Sequence, residues 1–180
     1  MIRLPRPCYF AQLPDDTWSW LSFRCELDRC CCCRPRFEAA KPLCRFRAEE
    51  DEAYRFFWRS SFDGHAVVHI GRWHHNIMLR PDTMMLRWGT GSTDSKAPRN
   101  LALSPADWQR LQHALDAAGF WSLAPHSDEM GLDGADWLIE GRHGDSYHAV
   151  SRWSPTGPIH DLGRVFFDLS GPPLAAITLY

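Results

Sequence analysis

The chain has 180 residues, 44% of them apolar and 23% charged, with a formal net charge of −2. That length suits one domain with an appendage, and the near-neutral balance excludes a general electrostatic pull toward nucleic acid or anionic lipid. Nine Trp and ten Phe supply bulky side chains for a core, and no run approaches the roughly 18 apolar residues of a membrane-crossing helix.

The charge is unevenly spread. Residues 1–47 carry nine Lys and Arg against five Asp and Glu, and the remainder carries eleven against seventeen. Pro5, Arg6 and Pro7 interrupt the first residues, so no apolar stretch of a secretory leader is read there. A cytoplasmic setting with reduced thiols is therefore the expectation. Residues 1–47 show neither the helical nor the strand period. They are expected to form an irregular Cys-, Arg- and Pro-rich extension, with 48–180 as a single domain.

All seven cysteines lie in that extension: Cys8, Cys25, Cys30, Cys31, Cys32, Cys33 and Cys44. Structural zinc takes four ligands, usually from two close C-x₂₋₄-C pairs. Cys25, Cys30, Cys33 and Cys44 make a possible set, but the second close pair is missing and adjacent cysteines point apart. The expectation is a thiol-rich segment without a cofactor. A zinc or iron–sulfur site, disulfides or redox sensing, and S-acylation stand as alternatives.

"YRFFWRSSF" (Tyr54 to Phe62) and "HAVVHI" (His65 to Ile70) are aromatic and β-branched and read as strands across an Asp63-Gly64 turn. "NIMLR" and "MMLRW" flank Pro81-Asp82 and suggest a further hairpin, making four antiparallel strands between residues 54 and 90. His65, His69, His74 and His75 fall within this stretch. In a strand His65 and His69 stand about 13 Å apart, too far for one ion, and His74 and His75 point to opposite faces. They are read as strand-end residues, with a metal role as the alternative. Gly89 to Asn100 is a polar loop.

Ser104-Pro105 sets an N-cap serine before a first-turn proline, with Asp107 at the third position. Trp108, Leu111, Leu115 and Ala118 then recur at helical spacing, and Gly119 ends the helix. "DWLIEGRHGDSYHAVSRWS" (Asp136 to Ser154) reads as a hairpin turning at His143 to Ser146, with Arg142 opposite Tyr147. Trp137, Ile139, His148, Val150 and Arg152 then share one face. Leu138, Glu140, Tyr147, Ala149 and Trp153 share the other, so both faces are expected to be covered. Ser154 to Pro158 starts a second helix with Ile159, Leu162, Val165, Phe166 and Leu169 on its stripe. "LAAITLY" is a final strand or a docked tail.

Strands interrupted by helices, without strict alternation, indicate α+β: an antiparallel sheet of about six strands, a meander plus a C-terminal hairpin, with two packed helices. No nucleophile elbow, phosphate loop or dinucleotide fingerprint is present.

Gly131-Leu132-Asp133-Gly134-Ala135, Trp137, Glu140-Gly141, Tyr147-His148, Val150 and Arg152-Trp153-Ser154-Pro155, with Phe120 to Leu123 before them, resemble the pattern of a group of uncharacterised bacterial proteins. The resemblance covers roughly residues 54–170 and implies no activity, cofactor or substrate. Structural roles are expected for these residues: a turn at Asp133-Gly134, Arg152 stacked on Trp137, and Arg152 paired with Glu140 or Asp133. Asp133, Glu140, His148, Arg152 and Trp153 are also the candidate binding residues. The face assignment puts Glu140 away from His148 and Arg152, which argues against an acid–base site. The functional expectation is a non-catalytic binding module for another protein, of which an inhibitor or immunity-type partner is one form. The alternative is a metal-binding protein or metal-dependent enzyme.

Overall fold

The computed structural model describes residues 52–62, 64–73, 76–86, 101–127, 129, 131–172 and 174–180. The cysteine set, the 1–47 extension, His74, His75 and the 89–100 loop lie outside the described residues. The chain forms strands β1 (Glu52–Ser60), β2 (Gly64–Trp73), β3 (Asn76–Leu86) and β4 (Leu101–Ala102), helix α1 (Pro105–Ala117), strands β5 (Ala135–His143) and β6 (Ser146–Trp153), and helix α2 (Pro158–Ser170). Short 3-10 turns stand at Phe120–Ser122 and Leu174–Ala176. The class is α+β, with an antiparallel sheet and two helices.

The strands lie in the order β4-β3-β2-β1-β5-β6. β1 is therefore central, with β2 on one side and β5 on the other. Its residues alternate between the two faces of the sheet, as any strand's do. Tyr54, Phe56 and Trp58 point into the main core with Trp137, Ile139 and Val150, beneath Trp108, Leu111 and Leu115 of α1 and Leu162 and Phe166 of α2. Arg55, Phe57 and Arg59 take the opposite face, where Phe57, Val67, Leu138 and Ala149 form a second apolar cluster with Tyr147 beside it. The two faces assigned to the hairpin are the two observed, and Arg142 pairs with Tyr147 as the alternation requires.

α1 begins as its cap residues dictate. Ser104 Oγ accepts from the Asp107 amide, and the Asp107 carboxylate accepts from the Ser104 amide, closing a reciprocal capping box. Gly119 follows the helix with φ +60°, a left-handed exit that glycine adopts without strain.

α2 carries Gly163 against the sheet. A methyl group there would overlap the ring of Trp137. The glycine weakens the helix by about 1 kcal/mol relative to alanine, and in exchange the helix backbone lies directly on an indole. Phe56, 4.8 Å away, and the stacked ring of His160 flank the same indole.

One expectation changes, and one pair of alternatives is decided. Pro81-Asp82 is not a hairpin turn: β3 runs through it as one strand. Val67 pairs with Thr83 and Val68 with Pro81, so Asp82 is the extra residue of a β-bulge. A bulge is one of the few places inside a sheet where a residue without an amide hydrogen fits. The C-terminal stretch is a docked tail rather than a strand. Leu174, Ile177 and Leu179 are buried in the main core. Arg164 donates to the carbonyls of Ala175 and Ile177, and Trp137 Nε1 donates to the Tyr180 carbonyl.

Candidate functional site

The hairpin's open end is built around Trp153 and Ser154. Ser154 has φ +39°, and it exchanges two hydrogen bonds with Ala135. Its amide donates to the Ala135 carbonyl and its Oγ accepts from the Ala135 amide. A Cβ on Gly131 would overlap the Trp153 indole, and one on Gly134 would strike Ser154 Oγ and press closely on the same indole. This explains physically why two glycines, a tryptophan and a serine occur together here: the loop 131–134 is fitted onto Trp153. The next turn along is tied in as well, because the Ser61 amide donates to the Gly134 carbonyl at 2.8 Å. Two apolar tips result. Phe62 is 63% exposed on the β1–β2 turn and Leu132 is 96% exposed on the neighbouring loop.

The five candidate residues do not converge. Asp133 is exposed on the 131–134 loop, beside Leu132. Glu140 is buried on the sheet face away from the helices. His148 and Arg152 are half-buried on the helix-side face. His148 rests edge-on against Phe120 at 5.3 Å and near Trp121. The indole of Trp137 is enclosed by Phe56, His160 and Gly163. Arg152, expected to stack on it, donates instead to the carbonyls of Ser151 and Ala124, both at 2.7 Å. A guanidinium has donors enough for two carbonyls, and the loop that supplies one of them lies 28 residues away in sequence.

The partner of Glu140 is Arg55, directly opposite it on β1. Arg55 Nε and Nη2 reach Glu140 Oε2 at 2.9 and 2.7 Å, and Tyr147 donates to Oε1 at 2.7 Å. Four residues along the same two strands, beyond the Phe57–Leu138 pair, Arg59 pairs with Asp136. A sequence signal for this existed. Arg55 and Arg59 are four apart in one strand, Asp136 and Glu140 are four apart in another, and an antiparallel register brings each cation to an anion. On the helix side Glu52 accepts from Tyr54, Gln112 and Arg72.

The electrostatics follow these contacts. Burial, then the hydrogen bond to and charge of Glu52, holds the Tyr54 phenol well above its ordinary value. Burial raises the Asp136 carboxyl, against the pull of Arg59. Burial lowers His148, assisted by the nearby charge of Arg152 and opposed by the backbone bond to Leu123. Tyr54 is thus held protonated, and Glu52, Asp136 and Glu140 are each engaged by an arginine. Among the described residues, no group of three or more His, Cys, Asp or Glu could hold a metal ion. His69 is buried, on the β2 position facing Arg55. Among the described residues no helix is long and apolar enough to cross a membrane. Neither a protein family nor a curated protein matches the chain.

Proposed function

We propose that the protein is a non-catalytic module that binds another protein through the loop end marked by Phe62 and Leu132. The observation that carries this is the exposure of two large apolar side chains on adjacent loops that the backbone holds in place. Large exposed apolar groups on a rigid base suit an interface, where they lose water against a partner and little conformational freedom is lost. Asp133 and Trp153 belong to the same end and are the binding residues retained from the sequence pattern. The pattern that resembles uncharacterised bacterial proteins includes this glycine–tryptophan loop. The reading takes β4 as a sixth, very short strand that blunts one edge of the sheet, since long open edges invite unspecific pairing.

The charged groups support the reading. Arginines engage Glu52, Asp136 and Glu140, which leaves those acids structural tasks. An inhibitor or immunity-type partner is the form of binding module that needs nothing more than such a surface.

The test compares the full chain with a Phe62→Ser/Leu132→Ser variant, both immobilised and exposed to extract of the native cell. A partner held by the first and lost by the second, at unchanged thermal stability, is the expected result. Equal retention, or no retained protein, overturns the reading. Elemental analysis of the natively purified chain addresses the alternative: zinc at one equivalent per chain would move the function to the cysteine set.

A further inference from the structure

Residues 174–180 are tied to the body of the fold at several points. Arg164 donates to the carbonyls of Ala175 and Ile177 at 3.0 and 2.6 Å. Leu179 is buried, and its carbonyl lies 3.4 Å from His160 Nε2. Trp137 Nε1 donates to the Tyr180 carbonyl at 3.1 Å, which holds the backbone of that residue. The Tyr180 phenol then reaches Ser60, 120 positions away, with the two hydroxyl oxygens 2.7 Å apart. Ser60 is the last residue of β1 and is buried. Its Oγ also accepts from the Phe62 amide at 3.0 Å, and its partner on β5 is Ala135, which Ser154 holds. One serine hydroxyl thus joins the tail to the turn that carries the Phe62 tip. Filling the core asks only for apolar side chains such as Leu174, Ile177 and Leu179. The phenol oxygen adds a polar link from the tail to that turn.

We infer that Tyr180 is a positioning residue for the Phe62 tip, so that docking of the 174–180 tail is coupled to the order of the loop end. The inference rests on the reading of that end as the binding surface, and it names what regulates the surface. A serine hydroxyl rotates to suit its partners, so a turn amide bonded to it is held only as firmly as the hydroxyl itself. The Tyr180 oxygen fixes the Ser60 hydroxyl from one side while the Phe62 amide engages it from another. Hydrogen bonds that share an oxygen also polarise one another. The tip therefore meets a partner already ordered, and less freedom is lost on binding. Coupling of this kind is reciprocal. A partner that holds Phe62 in place favours the docked tail, and whatever lifts the tail from Trp137 and Arg164 loosens the tip.

The experiment measures amide hydrogen exchange by NMR in the full chain and in the variants Tyr180→Phe, Ser60→Ala and the two combined. The Phe62 amide is the readout. The Gly119 amide, bonded to the Asp116 carbonyl at the exit of α1, is the reference. Tyr180→Phe keeps the ring and removes only the hydroxyl. It is expected to speed exchange at Phe62 about fivefold, the size of one net hydrogen bond, and to leave Gly119 unchanged. Ser60→Ala is expected to do at least as much, and adding Tyr180→Phe to it nothing further. An unchanged Phe62 rate in Tyr180→Phe overturns the inference. So does an equal rise at Phe62 and Gly119, which would be a general loss of stability, or a second full increment in the double variant. No partner takes part in this measurement, so the two readings fail separately. A failed capture with the exchange pattern intact strikes the binding reading and leaves the coupling, whereas an unaltered Phe62 rate beside a successful capture does the reverse.

Discussion

Arg55 and Glu140 face each other across β1 and β5, with both side chains fully buried and two N–H groups of the guanidinium on one carboxylate oxygen. Removing one charge from such a pair leaves the other desolvated and uncompensated, whereas removing both leaves a space that apolar groups can fill. Glu140→Leu is expected to destabilise the fold by about 3–5 kcal/mol. The double variant Arg55→Met/Glu140→Leu is expected to recover most of that loss. Urea denaturation of the two single variants and the double variant closes the cycle. Additive losses would show that the two groups act separately.

Gly163→Ala puts two effects in opposition. Alanine favours the helix by about 1 kcal/mol, but its methyl group meets the Trp137 ring, which is itself buried and flanked by Phe56. Overpacking a rigid ring costs about 1–3 kcal/mol, so the net effect is destabilising. A thermal melt of the variant is expected to fall below the parent. A rise would mean that the indole can move aside.

The capping box at the start of α1 predicts a smaller loss. Ser104→Ala removes the side-chain acceptor for the Asp107 amide and is expected to destabilise by about 1 kcal/mol. Ser104→Asp should retain most of the stability, because its carboxylate can accept the same hydrogen bond. Equal losses in the two variants, measured by chemical denaturation, would show that the cap is not what matters here.

His148 and Asp136 give stability opposite pH dependences. His148 has its pKa lowered in the folded state, chiefly by burial. The unfolded chain therefore takes up the proton more readily. The histidine's contribution is present above its ordinary value of 6.5 and is lost as pH falls through the lower folded value. Asp136 is raised, chiefly by burial. Its contribution is full below its ordinary value of 3.8 and is lost as pH rises through the folded value. His148→Phe should flatten the decline of stability below about pH 6.5, as measured by urea melts at a series of pH values. An unchanged slope would remove His148 as its source.

Local chemistry made much of the fold legible in the sequence. The cap of α1 needs three residues, and Ser104, Pro105 and Asp107 declare it. The hairpin register follows from a turn at Gly144-Asp145 and strict alternation, so the faces of Trp137 and Glu140 could be assigned without coordinates. The Pro81-Asp82 misreading has a physical origin. A proline inside an apolar run signals a turn or a bulge equally well, and the choice depends on the β2 partner. The candidate site was legible only in part, because its members interact over long separations. Arg152 turns to a carbonyl 28 residues away, and Glu140 was read without Arg55 although the matched four-residue spacings were present. The contact of Gly163 with Trp137 is not legible in the sequence, since nothing there places that indole against the second helix.

Arg55 and Glu140 are separated by 85 positions, and β5 is synthesised after α1. Pairing across that distance closes a long loop before any contact compensates for the lost freedom. A nascent chain therefore carries β1 with one flank bare and a cation awaiting its anion until the C-terminal third has emerged. Assembly of the sheet's centre must then be a late event, and the incomplete chain passes through a period when its exposed strand could pair with the wrong neighbour.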